Sequence, residues 1–249
     1  MTAETGSYQF LDATAPRRGG VTQSVTEQLR RAIVTLELKP GEVLDKGAIC
    51  DRLGVSRFPV SEALARLQAD GLVDILPQRG SVVSLVRMAD VTEYMLIRKA
   101  LECEAVRVLI GHHTEALIED LRANLVAQRR AVERDDREGF HARDLAFHDL
   151  LFASMRFSKI KAAIEGARAN LDRARRLIIT PRRLAFSSNE HQAVFDAILA
   201  KDAVRATVAM RAHIDSVMGE LFDFAHHRPE LFADGGDYAA ALRHDFPFG

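Results

Sequence analysis

The sequence has few of the features that stabilise secreted or membrane-embedded proteins. It contains no tryptophan and only two cysteines, Cys50 and Cys103, which lie far apart and form no Cys-x-x-Cys motif. Disulfide bonds are therefore not expected, and a reducing cytoplasm is the predicted location. No apolar run is long enough to span a bilayer, and the N-terminus lacks the apolar core of a signal peptide. We expect no membrane partner.

An excess of charge of one sign is also missing. The 34 Lys and Arg residues are balanced by 35 Asp and Glu residues, which gives a formal net charge of −1. The overall charge therefore gives no indication of a nucleic-acid partner, which usually requires a positive surface. The 249 residues, of which 47% are hydrophobic, are enough for one large or two modest globular domains.

The first part of the chain has the pattern of a small helical domain that ends in a β-hairpin. Residues 1–20 show no periodicity and predict a flexible tail. After them, apolar spacing predicts three helices, and two short β-branched runs joined by Pro77-Gln78-Arg79-Gly80 predict a hairpin. This order is typical of a winged helix-turn-helix over residues 21–86. The predicted elements are helices at about 21–36, 46–53 and 56–71 and strands at 72–76 and 81–86.

The rest of the chain predicts an all-α domain over residues 90–225, a bundle of six helices. No strand pattern occurs in this part, and Asp90 with Glu93 resembles a capping box at its start. Residues 226–249 fit no element and are treated as a C-terminal extension. The six helices are predicted at about 90–110, 114–133, 137–155, 158–179, 188–200 and 202–225.

The second helix of the helix-turn-helix carries the candidate DNA-reading residues near its N-terminus. Arg57 could donate two hydrogen bonds to guanine O6 and N7, and an exposed Phe58 could touch a thymine methyl group near Ser61. Other candidate DNA contacts are Arg52, Lys46 and, at the wing tip, Arg79 with Gly80. A winged helix used for protein contact is the alternative, because residues 21–86 contain eight basic and eight acidic residues. Further positive charge would come from Arg17, Arg18, Arg87 and dimerisation.

An unusual polar cluster is predicted inside the helical bundle. Asp144 and His148 lie one helical turn apart on the same stripe as Phe140 and Phe147. His191 aligns with the apolar residues Val194, Phe195 and Ile198, and His213 aligns with Met210, Val217 and Leu221. A buried carboxylate needs a partner or a metal. The spacing alone fits either satisfied core residues or a metal site.

The run SRFPVSEALARLQADGLV, followed by PQRGSVV, resembles the winged helix of the GntR family of bacterial transcription regulators. The helical remainder is similar to the FCD-type effector domain of the FadR subgroup, so that the resemblance covers about residues 21–225. It implies binding to operator DNA as a homodimer. Phe58 stands where the family usually has Thr, Ser61 where it usually has Arg, and Gly47 where Arg is frequent. Arg57 is therefore expected to be the main base reader.

The resemblance also implies a function for the polar cluster. FCD-type domains commonly bind a divalent metal through an Asp-x3-His pair and two later histidines, which here are Asp144, His148, His191 and His213. Zinc, nickel and manganese all suit these ligands. Arg98 resembles an arginine that faces the effector cavity and could pair with a small carboxylate effector, although a surface or interhelical salt bridge is the equal alternative.

The expected function is a ligand-responsive regulator, a repressor that a small organic acid releases from DNA. A metal-ion sensor is the alternative. A metalloenzyme is less favoured, because the sequence has no HExxH-type base beside its metal ligands. The arginine-rich stretch from Arg168 to Arg183 is interpreted as a solvated, salt-bridged helix face rather than a second nucleic-acid surface.

Overall fold

The N-terminal domain is a winged helix. In the computed structural model, residues 8–13, 20–153 and 171–234 are described. Three antiparallel strands form a small sheet in the order β1-β3-β2, with Val43 opposite Val82 and Val73 opposite Val83. Strand β1 is missing from the sequence prediction because two residues are too short to show a period. The elements are α1 (Val21–Val34), β1 (Val43–Leu44), α2 (Lys46–Leu53), α3 (Arg57–Ala69), β2 (Val73–Leu76) and β3 (Gly80–Val83).

Local signals explain where α2 and α3 begin and end. The side chain of Asp45 accepts hydrogen bonds from the backbone N–H groups of Gly47 and Ala48 and so caps α2. Gly54 then ends α2 in the left-handed conformation, with φ 61°. Ser56 occupies the N-cap position of α3 as predicted, but its side chain makes no capping hydrogen bond. Apolar residues of all three helices, such as Leu29, Ile49 and Leu64, fill one core.

The N-terminal tail is the first correction to the sequence analysis. Within residues 8–13, Tyr8 and Leu11 are buried in the winged-helix core, and the Tyr8 hydroxyl accepts a hydrogen bond of 2.9 Å from Asp45 N. Two buried side chains in six residues are too few to show periodicity, so their burial could not be predicted from the sequence. Residues 1–7 and 14–19, which include Arg17 and Arg18, lie outside the described part.

The C-terminal domain is the predicted all-α bundle. Helix α8 begins at Pro181 rather than near residue 188, because Thr180 caps it through a hydrogen bond from Arg183 N and proline is favoured in the first turn. The helix predicted at 158–179 is described only from residue 171 onward. The elements are α4 (Met88–His112), α5 (Glu115–Glu133), α6 (Arg137–Ala153), α7 (171–177 as described), α8 (Pro181–Leu199) and α9 (Ala203–His227), followed by a short 3-10 helix (Pro229–Leu231).

The first residues after α9 belong to the bundle, although they were predicted to be a separate extension. Phe232 is buried and pairs with Val86 in the segment between the two domains. The Asp234 carboxylate accepts hydrogen bonds from the N–H groups of Met88 and Ala89 and thereby caps α4, so the predicted capping box at Asp90 does not form the cap. Residues 235–249 lie outside the described part. None of the described helices has the length and apolar character required to cross a membrane.

Candidate functional site

The N-terminal end of α3 presents the predicted DNA-reading residues on the surface. Arg57 is the first residue of the helix and is exposed, and Phe58 is 73% exposed, which is unusual for an aromatic side chain. Ser61, one turn further, is half-buried. Pro59 and Val60 pack into the core, so the helix presents Arg57 and Phe58 outward on a rigid scaffold. Among the described residues, neither side chain forms a hydrogen bond or an ion pair that would hold it to the rest of the fold.

The other candidate DNA contacts differ in their exposure and in the hydrogen bonds that they form within the protein. Arg79 is exposed in the turn between β2 and β3, and Gly80 follows with φ 95°, a conformation that favours glycine. Lys46 begins α2 and is half-buried. Arg52, in contrast, donates hydrogen bonds from Nε to Tyr8 O (3.2 Å) and from Nη2 to Gln9 O (3.0 Å). The Arg52 guanidinium therefore holds the N-terminal segment against α2.

Three histidines from three helices meet in the core of the bundle. His148 of α6, His191 of α8 and His213 of α9 are buried, and one ring nitrogen of each lies within 4.8 Å of the other two. The ring of Phe147 stacks on His191, with ring centroids 4.3 Å apart, and fixes the plane of that imidazole. The structure therefore brings the three predicted histidines together.

Hydrogen bonds determine which nitrogen of His191 and His213 carries a proton. Gln128 Oε1 lies 2.9 Å from His191 Nδ1, and the Gln128 amide in turn donates to Asn124, which donates to the backbone carbonyl of Arg143. Because that carbonyl can only accept, the chain of donors requires a proton on His191 Nδ1. Glu190 Oε2 lies 2.8 Å from His213 Nδ1 and requires a proton there as well. In the neutral rings, both Nε2 atoms are left with lone pairs.

The two Nε2 atoms face each other, which is the arrangement that a metal ion requires. His191 Nε2 and His213 Nε2 are 3.3 Å apart. Two lone pairs at this distance repel unless something electropositive lies between them. Two nitrogen ligands of a tetrahedral zinc ion are separated by about 3.3 Å, given typical Zn–N bonds of about 2.0–2.1 Å. His148 Nε2 and Asp144 Oδ1, both buried next to this pair, also have no hydrogen-bond partner among the residues that the structure describes. The residues present therefore fit a metal ion.

Burial keeps His191 and His213 in the neutral form that binds metals. Desolvation lowers the pKa of His213 to about 4, against the opposing effect of its hydrogen bond to Glu190. Burial, followed by the proximity of His213, also lowers the pKa of His191 well below its usual value. Imidazole binds a metal through an unprotonated nitrogen. The cluster is therefore available to a cation at neutral pH.

Asp144 lies beside the histidines, but its charge is already balanced. Its Oδ1 is 3.7 Å from His191 Nε2 and 4.0 Å from His148 Nε2, while its Oδ2 is 2.6 Å from Nη2 of Arg175 on α7. Although burial alone would raise the pKa of Asp144, Arg175 and then the nearby histidines hold it well below its usual value. Arg175 is thus a partner of Asp144 that the sequence analysis did not identify.

Arg98 forms a buried ion pair within its own helix, and so differs from the surface or interhelical salt bridge that was the alternative to an effector contact. Its Nε donates to Glu102 Oε1 at 2.7 Å, one helical turn away, and both side chains are at most 5% exposed. Glu102 Oε2 is in turn 2.8 Å from His148 Nδ1. Burial would raise the pKa of Glu102, but Arg98 and His148 outweigh that effect and lower it. Glu102 therefore links Arg98 to the histidine cluster, while Arg98 Nη2 has no hydrogen-bond partner in the described part of the chain.

Two small clefts, each with about 30 Å³ of internal space, border the cluster. The first is lined by Asp144, Arg175, Arg183 and other side chains, among them the buried His141. The second is lined by Arg98, Glu102, His148 and again Arg175. Arg175 lines both clefts next to the candidate ligands, so an anion bound in either cleft would lie near its guanidinium group.

The arginine-rich stretch does not form the solvated face that was predicted. Arg173, Arg175 and Arg183 are buried, at 0%, 7% and 4% exposure. Arg183 contacts Glu190, Glu220, Ser187 and Ser216, and thus supports the carboxylate that orients His213. The spacing of arginines along a helix does not show which carboxylates other helices present to them, so the pattern was misleading here.

The geometry defines a class of protein. A winged helix that exposes the start of its recognition helix is joined to a helical bundle with a buried ligand cluster, which is the organisation of a DNA-binding regulator with a sensor domain. Comparison with known proteins supports this class. Residues 21–83 match the model of the bacterial regulatory proteins of the gntR family, and residues 93–216 match the FCD domain.

Related proteins extend over most of the chain. A transcriptional regulator encoded in an unstable DNA locus of Streptomyces ambofaciens is 36% identical over 211 residues, which cover 83% of this chain and 87% of that protein. The transcriptional repressor RspR of Escherichia coli K12 is 32% identical over 237 residues, which cover 94% and 100%. Among solved structures, E. coli McbR/YncC has the same fold, with a TM-score of 0.66, 22% identity and coverage of 81% and 97%.

The chain therefore belongs to the GntR family of bacterial regulators, in the branch with an FCD domain, and it is a DNA-binding transcription regulator. The prediction of a regulator rather than a metalloenzyme is confirmed, since these families and relatives are transcription regulators.

Proposed function

We propose that this protein is a ligand-responsive repressor whose FCD domain binds a divalent metal and a small carboxylate effector. The observation that carries the proposal is the 3.3 Å approach of His191 Nε2 to His213 Nε2. The contacts of Gln128 and Glu190 with the two Nδ1 atoms favour the tautomers in which both Nε2 atoms carry lone pairs. The E. coli relative RspR is named a repressor, which supports repression as the direction of control.

The proposed metal ligands are His148, His191, His213 and Asp144. The three imidazoles converge, and Asp144 Oδ1 lies 3.7 Å from His191 Nε2, close enough to complete the set after a small adjustment. Zinc, nickel and manganese remain the candidates because imidazole and carboxylate ligands suit all three. The ion would supply a Lewis acid to which an effector carboxylate binds.

Arg98 remains the proposed effector contact on the protein side, with Arg175 as a second one. Arg98 Nε is engaged by Glu102, but its buried Nη2 has no hydrogen-bond partner in the described residues, and Arg98 is one of the residues that line the cleft beside His148. A buried donor without a partner is costly. An effector carboxylate in that cleft would satisfy it and would also face Arg175.

The proposed partner of the winged helix is a two-fold operator, bound by a homodimer in the cytoplasm. Arg57 would read a guanine and Phe58 a thymine methyl group, with Ser61 beside them. Lys46, at the start of α2, would contact a phosphate. Arg79 would do the same at the wing tip, next to Gly80. Because the domain has no excess of positive charge, affinity would depend on the local placement of these side chains and on the presence of two copies.

The second candidate function is a metal-ion sensor. It is favoured by the buried partners that orient His191 and His213, since such a site would hold an ion without help from an effector.

One assay separates the two functions. Operator fragments selected from a random duplex pool are titrated with protein that is metal-loaded, chelator-treated, or metal-loaded with a panel of small carboxylates. Release from DNA by a carboxylate in the metal-loaded protein alone supports the proposed repressor. Release that follows the metal content and ignores every acid supports the metal sensor.

A further inference from the structure

The segment between the two domains is held from both sides. Ser84 follows β3, and its N–H donates to Leu72 O within the winged helix at 3.1 Å. Two residues later, Val86 N donates to Leu231 O, and Val86 O accepts from Ala233 N. This connection therefore cannot shift without breaking hydrogen bonds to one domain or the other.

Arg173 of α7 joins the bundle to this segment. Its Nη1 donates to Ser84 O at 2.8 Å, and the side chain is completely buried. Its Nε and Nη2 have no hydrogen-bond partner in the described residues. A buried guanidinium that is only partly satisfied contributes little to stability. Stability alone therefore does not account for Arg173, which lies where α7 meets the interdomain segment.

On its other side, helix α7 contacts the histidine cluster. Arg175 is two residues after Arg173, and successive helical residues are rotated by about 100°, so the two side chains leave the helix in nearly opposite directions. Arg175 ends at Asp144, 2.6 Å away, next to His191. One turn of α7 thus contacts two sites: Arg175 pairs with the candidate metal ligand Asp144, and Arg173 donates to Ser84 O in the interdomain segment.

From this arrangement we infer that α7 transmits ligand binding at the histidine cluster to the winged helix. Arg175 is the contact through which the cluster acts on α7 (the input), and Arg173 is the contact through which α7 acts on the interdomain segment (the output). A metal or an effector that draws Asp144 away from Arg175 changes the position of α7. Through Ser84 O, that change alters the placement of the winged helix that a dimer needs for two half-sites. The inference rests on the proposed function for the identity of the ligand, but not for the connection itself.

A double-mutant cycle on operator affinity tests the connection. Asp144→Asn changes the input, and Arg173→Met removes the output contact while keeping a long apolar side chain. Arg176→Met is the matched control, because Arg176 lies on the same helix and pairs with Glu138 rather than with the interdomain segment. Dissociation constants are measured by fluorescence anisotropy on a selected operator fragment, with added zinc and with chelator, and zinc content is measured separately.

We expect Asp144→Asn to change operator affinity by about 5-fold or more in the wild-type and Arg176→Met backgrounds, and by less than about 2-fold in Arg173→Met. Equal effects of Asp144→Asn in all three backgrounds, or no effect in any, would overturn the inference. Thermal unfolding confirms folding, and Arg173→Gln replaces Arg173→Met if the latter does not fold. Absence of bound zinc would contradict the proposed metal site, whereas the cycle would still decide the connection.

Discussion

Replacing Glu190 by glutamine should weaken metal binding without unfolding the bundle. The Glu190 carboxylate accepts a hydrogen bond from His213 Nδ1 and so keeps the lone pair on Nε2, which faces His191. A glutamine amide can rotate and donate to Nδ1, which favours the tautomer that cannot bind the ion. Loss of such a partner typically lowers metal affinity by about 10–100-fold, or about 1.4–2.7 kcal/mol. Arg183 retains Glu220, Ser187 and Ser216, so the fold should persist.

The assay is zinc competition against a chromophoric chelator, with Glu220→Gln as the matched control. Glu220 also contacts Arg183, at 3.0 Å, but within the described part of the chain no hydrogen bond or ion pair joins it to a histidine of the cluster. We expect Glu220→Gln to bind zinc like the wild type. If both variants lose the same affinity, Glu190 acts through Arg183 and the charge balance of the bundle. If neither loses affinity, the tautomer reasoning is wrong.

Four further predictions concern DNA, metal, effector and stability. Arg57→Ala should weaken operator binding by about 1–3 kcal/mol in anisotropy titrations; an equal loss on random duplexes would show a phosphate contact instead. His148→Ala should reduce the metal content measured by elemental analysis, whereas the terminal His226→Ala should not. Arg98→Lys should lower calorimetric affinity for an identified carboxylate effector at unchanged metal content, because the bidentate fork is lost. Asp234→Ala should lower the free energy of unfolding by about 0.5–2 kcal/mol in chemical denaturation, since it removes the cap of α4; an unchanged value would contradict that role.

The sequence was sufficient to predict most helices and strands. It was also sufficient to predict those cluster residues that lie on regular apolar stripes. His191 and His213 are separated by a helix boundary, yet each aligns with apolar neighbours of its own helix, and the structure confirms that both are buried. Helical periodicity is a local property, so it can be read without knowing how the helices pack. The two-residue strand β1 and the buried Tyr8 were missed for the same reason, since a period needs several residues to be visible.

The partners of the cluster could not be predicted, because they depend on which helices become neighbours. Gln128 is on α5 and contacts His191 on α8, while Arg175 is on α7 and contacts Asp144 on α6. Glu102 offered the one local clue, since it lies one turn after Arg98, but its second contact to His148 depends on packing. Tertiary contacts of this kind decide whether a charged residue in a helix is buried or solvated.

The charge balance around the cluster gives a physical reason why a metal and an anionic effector belong together. Arg98 with Glu102, and Arg175 with Asp144, are two buried ion pairs whose formal charges cancel. Buried pairs of this kind are often no more stabilising than apolar side chains, so stability alone does not explain them. A divalent cation between the histidines would add two positive charges to these neutral pairs in a low-dielectric core. Glu190 beside His213 offsets part of this charge, since it shares Arg183 with Glu220. An uncompensated buried charge is costly, and a carboxylate that enters either cleft would offset it. The same reasoning predicts that removing the metal removes the affinity for the effector, whichever arginine the carboxylate contacts.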